Sequence, residues 1–266
     1  MPSAEPDAGP SFRPLSQAEF QDAAEAGDVI EGADLSGIDW SDCPETDISF
    51  RHCRFEEVRF KVAGLEGAAF EDCPFIRCSF MRTKLATARF SACAFFDRAS
   101  SKGSDFAHAD LRDAIFERCN LSACTFSGAN LHGVTIKASK ALGADFEKAT
   151  FSRTIGTRQT STRAFLHQSI FDSANFYGVS FESCSLIGSS LRLADLRRCD
   201  FTDADISDGD LSGADIAEAR FDGADLRRAE LQDFDVTRLA SFQGLKVSNS
   251  QQATLLKGLG VRVFPD

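Results

Sequence analysis

Carboxylates crowd the segment from residue 195 to residue 236, where 13 acidic residues and five arginines give a net charge of 5 − 13 = −8. Such a group could act in acid–base catalysis, imitate a polyanion toward a basic partner, or form an ordinary solvated face. Catalysis needs a carboxyl group with a shifted pKa, and an exposed aspartate in a polar segment has no cause for one. We therefore expect partner binding, with these candidates: Asp203, Asp205, Asp208, Asp210, Asp215, Glu218, Asp222 and Asp225.

The histidines are the side chains best suited to proton transfer near neutral pH, and all four are far apart: His52, His108, His132 and His167. None lies in a nucleophile-elbow, phosphate-loop, dinucleotide-binding or zinc-protease motif. We expect surface histidines, and we predict a non-enzyme without a catalytic residue, a metal or a cofactor.

A large apolar residue recurs at every fifth position, and a small residue lies two places before each, as in Ala204 before Ile206 and Ala224 before Leu226. A period of five fits neither an α-helix nor a flat strand. The register runs from Leu35 to Val236 with one slip, in FDRASSKGSDF, and it includes 18 of the 25 phenylalanines. The sequence therefore predicts an internal repeat whose unit decides the fold.

The nine cysteines test this repeat independently, because each lies two residues before a repeat position. That slot otherwise holds Ala, Ser, Thr or Val, and the cysteine spacings do not form the CxxC pairs of a zinc or redox site. We expect small buried thiols in a reducing compartment.

The segments ADLSG, CNLSA, ANLHG, CDFTD and ADLRR resemble the A(D/N)LXX unit of the pentapeptide-repeat proteins, over roughly residues 31–238. The resemblance implies an all-β solenoid, a right-handed quadrilateral β-helix in which four pentapeptides form one square coil. Stacked coils about 4.8 Å apart would pair their backbones, so the register predicts about ten coils and a rod about 48 Å long.

A β-helix has two open ends, and the sequence predicts a short capping helix at each. Ser16 with Glu19, and Ser248 with Gln251, have the spacing of capping boxes. We expect four regions: a disordered N-terminal segment over 1–14, a helical cap over 15–30, the β-helix over 31–238, and a C-terminal helix/strand cap and dimerisation segment over 239–266.

The C-terminal segment is similar to the tail of the topoisomerase-protecting, quinolone-resistance branch of the family, in which the tail joins two rods end to end. The resemblance implies a homodimer with Leu255, Leu256 and Leu259 at its interface. The alternative is that these leucines cover the end of their own rod.

The acidic segment, spread over about two coils or 10 Å, would carry about one negative charge per 1.2 Å, against about one per 1.7 Å for duplex DNA. Together with the resemblance, this favours a non-catalytic DNA mimic that binds a type II topoisomerase, DNA gyrase or topoisomerase IV, and protects it from inhibitors. The alternative is a structural interaction scaffold or adaptor.

The middle of the chain differs, because residues 96–168 hold ten basic and seven acidic residues, a net charge of +3. In the quinolone-resistance branch, loops at interruptions of the coil contact the enzyme, which makes Arg153, Arg158 and Arg163 contact candidates. Large apolar residues are missing around residues 96–105 and 153–168. The second interruption keeps the five-residue phase, so both a projecting loop and a distorted coil remain open.

The whole chain has a net charge of −11, no apolar run long enough to span a membrane, and no N-terminal signal pattern. A polyanionic protein is a poor partner for nucleic acid or anionic membranes. We expect a cytoplasmic protein that binds neither directly.

Overall fold

The computed structural model describes residues 12–41, 48–60, 64–155, 158–262 and 264, with the backbone alone for residues 154–155 and 158–160. Its strands are short: β1 (Arg13–Pro14), β2 (Val29–Glu31), β3 (Ala33–Asp34), β4 (Ser49–Arg51), β5 (Phe55–Glu56), β6 (Ala69–Glu71), β7 (Phe75–Ile76), β8 (Arg89–Ser91), β9 (Phe96–Asp97), β10 (Lys102–Gly103), β11 (Ile115–Glu117), β12 (Thr135–Lys137), β13 (Ser152–Ile155), β14 (Arg158–Thr162) and β15 (Phe165–His167). The α-helices are α1 (Gln17–Ala26) and α2 (Gln252–Gly258), and 3-10 turns cover Val236–Arg238 and Asn249–Gln251.

The chain winds into a β-solenoid, as the repeat predicts. Successive coils pair in parallel, in most of the rod at an offset of 20 residues, as in Asp205↔Asp225 and Asp210↔Glu230. Each coil therefore has four sides, which we number by the buried residue at the centre of each pentapeptide. Side 1 contains Ile206 and Leu226, side 2 Leu211 and Leu231, side 3 Leu196 and Ile216, and side 4 Phe201 and Phe221. The seven-stranded sheet β15-β12-β11-β8-β6-β4-β2 lies on side 1.

The corners explain why the period is five. The second residue after each buried centre turns the chain with a positive φ, and 24 of these described residues are not glycine, including Thr87 (φ 61°) and Asp203 (φ 56°). This left-handed conformation costs non-glycine residues about 1–2 kcal/mol, so the regular hydrogen bonds between coils must offset it. At Thr87, for example, the backbone N–H donates to Arg112 O at 2.8 Å in the next coil.

Aromatic rings stack along the rod axis inside side 3. Phe60, Phe80, Phe106, Phe126 and Phe146 follow one another with ring centroids 4.4–5.0 Å apart and nearly parallel planes. The spacing matches the distance between paired strands, so one phenylalanine per coil fills the column without a gap.

Two antiparallel hairpins interrupt the coil, at opposite corners. Hairpin A (β9–β10) leaves between sides 2 and 3 and raises the offset on side 1 from 20 to 26 residues. Hairpin B (β13–β14) leaves between sides 4 and 1 and raises it to 30 residues. Hairpin B adds ten residues, two whole repeat units, which is why the five-residue phase continues across a projecting hairpin. Ser101 and Ser161 belong to these hairpins, whereas Ala141 is buried in the coil.

The N-terminal end is ordered from residue 12 onward. Strand β1 pairs with β3, so the expected disordered segment 1–14 includes paired backbone, because the first coil otherwise has an open edge there. Ser16 and Glu19 form the expected capping box on α1, and the Ser16 hydroxyl and N–H lower the pKa of Glu19 to about 2. Phe20 of α1 is buried with its ring 5.0 Å from that of Trp40.

The C-terminal end departs from the predicted boundaries. Pairing continues past residue 238, at Arg220↔Ser241 and Asp225↔Lys246, after a one-residue shift at the 3-10 turn Val236–Arg238. Helix α2 ends at Gly258, and residues 261, 262 and 264 form no strand within the part of the tail that is described. No helix in the described ranges is long and apolar enough to cross a membrane.

Candidate partner-binding site

Six of the eight predicted carboxylates lie on one half of the rod. Asp205 and Asp225 lie on side 1 and Asp210 on side 2, whereas Asp203, Asp208 and Asp222 lie at the corners that border side 1. Asp215 on side 3 and Glu218 at the corner between sides 3 and 4 point elsewhere. We call sides 1 and 2, with their three corners, the acidic half.

The charge of the segment 195–236 divides unevenly between the halves. The acidic half holds eight carboxylates and two arginines, 2 − 8 = −6, and the other half holds five carboxylates and three arginines, 3 − 5 = −2. Linear sequence concealed this asymmetry, because neighbouring pentapeptides face different directions. It becomes visible when acidic residues are counted in steps of 20.

Aspartates just before a buried centre have a structural task. Asp205 Oδ1 accepts a hydrogen bond from Ser207 N at 3.0 Å, Asp210 Oδ1 from Ser212 N at 2.8 Å, and Asp225 Oδ1 from Arg227 N at 3.0 Å. Each carboxylate therefore holds the following corner, as short polar side chains do in Asx turns. The repeat requires these residues whatever the partner.

Several carboxylates are partly neutralised by arginines. Asp208 pairs with Arg228 one coil away (2.6 Å), which lowers the pKa of Asp208, and Asp225 pairs with Arg227 (2.6 Å), which lowers the pKa of Asp225. On the other half, Glu218 pairs with Arg198 at 2.8 Å. Further ion pairs join Asp210 to Arg192 (3.7 Å), Asp215 to Arg197 (3.7 Å) and Arg238 (2.6 Å), and Asp222 to Arg220 (3.6 Å).

Within the described residues, Asp203 and Asp205 are the two members of the predicted set without an ion pair. Asp203 is exposed at a left-handed corner and Asp205 is half-buried beside it on side 1. The hydroxyl of Ser241 and the N–H of Gln243 lower the pKa of Asp222 at the same corner. Asp203, Asp205 and Asp222 thus form the least neutralised part of the acidic half.

Hairpin B lies over the corner between sides 4 and 1 and encloses a groove of about 840 Å³. Arg112, His132, Arg153 and Arg163 line this groove. Arg163 Nη2 bonds to Asp113 Oδ1 at 2.5 Å, so its guanidinium ties the hairpin to the coil. Burial and the Arg163 charge lower the pKa of His132. Arg153 and Arg163 are therefore brought together, and the side chain of Arg158 lies outside the described residues.

The three tail leucines differ in exposure. Leu255 is half-buried and packs against the core, Leu256 is half-buried, and Leu259 is 52% exposed. Gln251 Nε2 anchors the tail by donating to Leu226 O and Ala229 O at 2.7 Å each. Two further apolar side chains of the tail, Val261 (47%) and Phe264 (77%), are exposed.

The cysteines occupy the packing slot that the repeat predicts. The eight described cysteines are buried free thiols, and burial raises the pKa of Cys78 to about 12. Cys43 lies outside the described residues. Among the described residues there is no group of three or more His, Cys, Asp or Glu side chains that could hold a metal ion.

A cationic groove beneath hairpin A was not predicted. It contains Arg59, Arg82 and Lys102. The available signal was the residue just before the buried centre on side 3, which is Asp in most coils and Arg at position 59.

Comparison with known proteins agrees with this architecture. The model of the pentapeptide repeat region matches residues 68–146 and 163–251. The pentapeptide repeat protein QnrB4 of Escherichia coli is 42% identical over 65 residues, 24% of this chain and 30% of the relative. The quinolone resistance pentapeptide repeat protein QnrB96 of Scandinavium goeteborgense is 41% identical over 68 residues, 26% of this chain and 32% of the relative. The match thus spans less than a third of either relative's length.

A solved structure extends the likeness over most of the rod. A trypsin-treated form of QnrB1, described as a plasmid-mediated fluoroquinolone resistance protein, superposes with a TM-score of 0.73 and 32% identity, covering 80% of this chain and 99% of that chain. The repeat, the solenoid and these matches together show that the chain belongs to the pentapeptide-repeat family.

Proposed function

We propose that this protein binds a type II topoisomerase, DNA gyrase or topoisomerase IV, and protects it from quinolone-type inhibitors by taking the place of DNA. The proposal makes it a non-catalytic cytoplasmic binding protein that needs no cofactor. It would bind neither nucleic acid nor membrane directly.

The acidic half is the observation that carries this proposal. A protein that replaces DNA in a basic saddle needs carboxylates concentrated on the surface that enters the saddle, and −6 of the −8 charge lies on two adjacent sides. Asp203, Asp205 and Asp222 would make the central contacts, because a carboxylate already paired with an arginine in its own rod has less to offer a partner. The likeness to QnrB1 supports the choice of partner class.

Hairpin B would supply a second contact. Arg153 and Arg163 line its groove, and Arg158 lies on strand β14, which places the three candidate arginines on one projecting element. Asp203 and Asp222 lie at the same corner of the rod, farther toward the C-terminus. One partner surface could therefore meet the hairpin and the carboxylates together.

The tail would join two copies end to end. Leu259, Val261 and Phe264 are exposed beyond the last coil, whereas Leu255 is half-buried against its own rod. Burying such side chains in a second copy stabilises a dimer by about 25 cal/mol per Å² of apolar surface. Leu255 and Leu256 would then serve the cap and the interface at once.

The functional test is a gyrase supercoiling assay with and without ciprofloxacin. We expect the wild-type protein to restore supercoiling in the presence of the drug, with an effect that weakens at high salt. The double variant Asp203→Asn with Asp208→Asn should lose at least about tenfold in potency, because it removes two charges from the acidic half. Asparagine tolerates a left-handed corner, so the fold should persist.

A matched control changes two acidic corner residues far from the acidic half, Asp72→Asn with Glu57→Gln, which lie at φ 50° and 58°. It removes the same charge from the same backbone conformation. Equal loss in both double variants would show a general charge effect and contradict the proposed surface. If the folded wild-type protein neither binds gyrase or topoisomerase IV nor changes drug inhibition, a structural scaffold or adaptor becomes the better description.

Light scattering tests the dimer. Leu259→Glu should convert a dimer into a monomer, whereas Leu142→Glu, at a 43% exposed leucine in the middle of the rod, should not. A wild-type protein that is monomeric at micromolar concentration would contradict the end-to-end arrangement.

A further inference from the structure

A groove of about 680 Å³ runs along side 3 beneath hairpin A. Its floor is formed by Arg59, Ser79 and Asp105, which follow one another in the parallel ladder of side 3. The remaining lining residues come from the two bordering corners and from the hairpin: Arg77, Cys78, Met81, Arg82, Lys102 and Gly103. The groove lies several coils from the acidic half.

The groove is cationic in a chain that is strongly acidic. Four of its side chains are basic and one is acidic, 4 − 1 = +3, whereas the chain as a whole carries −11. Within the described residues, Arg59, Arg82 and Lys102 have no carboxylate oxygen within 4.0 Å, although ion pairs are common elsewhere on the rod. Three positive charges therefore face the groove without a counter-charge from the protein.

The repeat explains how this charge arises. On side 3 the residue before the buried centre is an aspartate in other coils, as at Asp145, Asp195 and Asp215, and it holds the next corner. In the two coils beneath hairpin A that position is occupied by Arg59 and Ser79. The substitution removes the carboxylates that would neutralise the groove and adds a guanidinium.

Hairpin A forms a fixed wall of the groove. Its turn is held by Asp97, which accepts hydrogen bonds from Ala99 N at 3.0 Å and Ser100 Oγ at 2.6 Å, and which pairs with Arg77 at 3.3 Å. At the other strand, a Cβ on Gly103 would overlap the backbone of Ala123 and Cys124. The hairpin is therefore packed onto the next coil and holds Lys102 at the edge of the groove.

An apolar side chain completes the surface. Met81 lines the groove and is 43% exposed, between Arg77 and Arg82 at the two corners. A flexible thioether surrounded by unpaired cations fits a ligand that combines negative charge with an apolar group. An acidic peptide has this combination.

We propose that the groove beneath hairpin A binds a short acidic segment of a protein partner, through Arg59, Arg82 and Lys102 around Met81. A peptide is favoured over nucleic acid because a polyanion lying along the rod would also meet the segment with net charge −8, whereas a short peptide would not. The site has the opposite sign to the acidic half, so its occupancy is independent of topoisomerase binding.

The test uses fluorescence anisotropy with a labelled peptide that has three glutamates on each side of one leucine. We expect binding at low salt that weakens as salt is added. The triple variant Arg59→Gln, Arg82→Gln and Lys102→Gln should lose at least about tenfold in affinity. The control triple variant Arg89→Gln, Lys137→Gln and Lys140→Gln removes the same charge from exposed positions outside the groove and should stay within about twofold of the wild type.

Three results would overturn the proposal. The first is no binding of the peptide at low salt by a protein whose circular dichroism shows it folded. The second is an equal loss of affinity in both triple variants, which would indicate general charge attraction. The third is tighter binding of an oligothymidylate than of the peptide, with the same dependence on the three groove residues, which would make the occupant a nucleic acid.

Discussion

Truncation of one ring in the side 3 column should reveal how the rod is stabilised. Phe126 is fully buried, and its ring is stacked between those of Phe106, at 5.0 Å, and Phe146, at 4.7 Å. The planes differ by only 5° and 4°. The variant Phe126→Ala would leave a cavity that neighbouring coils cannot close, because hydrogen bonds on all four sides fix their spacing.

The expected loss follows from these contacts. Phenylalanine-to-alanine changes in a core cost about 3–5 kcal/mol, and each stacked pair contributes about 0.5–1.5 kcal/mol beyond burial. Because Phe126 belongs to two pairs, we expect the upper end, about 4–5 kcal/mol. A domain has a total stability of about 5–15 kcal/mol, so the variant should be close to unfolding.

Urea unfolding followed by circular dichroism measures the change, and fluorescence of Trp40 reports on the N-terminal coils separately. The matched control is Phe165→Ala, at a phenylalanine that is 38% exposed, and it should cost less than about 1 kcal/mol. The reasoning fails if the free energies of unfolding of the two variants differ by less than about 1 kcal/mol. In a rod whose coils contact only their neighbours, Phe126→Ala should also separate the fluorescence and dichroism transitions.

Three further substitutions test the corners, hairpin A and the titration of a histidine. Thr87→Gly should raise the free energy of unfolding by about 0.5–1 kcal/mol, since glycine adopts φ 61° without strain, and an unchanged urea midpoint would contradict this. Gly103→Ala should cost about 1–3 kcal/mol in the same experiment and weaken peptide binding, because the new methyl group displaces hairpin A; unaltered binding and stability would show that the hairpin yields easily. The pKa of His132 is lowered in the folded protein, so the unfolded chain binds more protons just below pH 6.5 and stability falls as pH falls through that region. His132→Gln should reduce this fall between pH 7 and 5, as followed by thermal unfolding at each pH, and an identical pH profile would refute the assignment.

The sequence was sufficient for the solenoid because each pentapeptide repeats one physical task. Phe126 and Phe146 are buried centres separated by one full coil, and no tertiary information is needed to place them on the same side. Hairpin B could not be distinguished from a distorted coil, because its ten extra residues are a multiple of the period. The missing signal was the antiparallel pairing of β13 with β14, which depends on contacts that the repeat does not specify.

The candidate site was harder to predict than the fold. The acidic segment was visible in the sequence, but pairing of Asp208 with Arg228 and of Glu218 with Arg198 joins residues one coil apart. Once the coil is known to have four sides, such pairs can be read at a separation of 20. The exposure of Leu259 and the burial of Phe20 depend on how the ends fold, and the repeat carries no information about either end.

The diagonal placement of the two hairpins limits the shape of any partner that uses both. Hairpin A leaves at the corner between sides 2 and 3, and hairpin B at the corner between sides 4 and 1. A flat protein surface laid against a square rod touches neighbouring corners and never the two ends of a diagonal. A macromolecule that contacts both hairpins at once must therefore be concave and must receive the rod lengthwise, as a channel receives a bar.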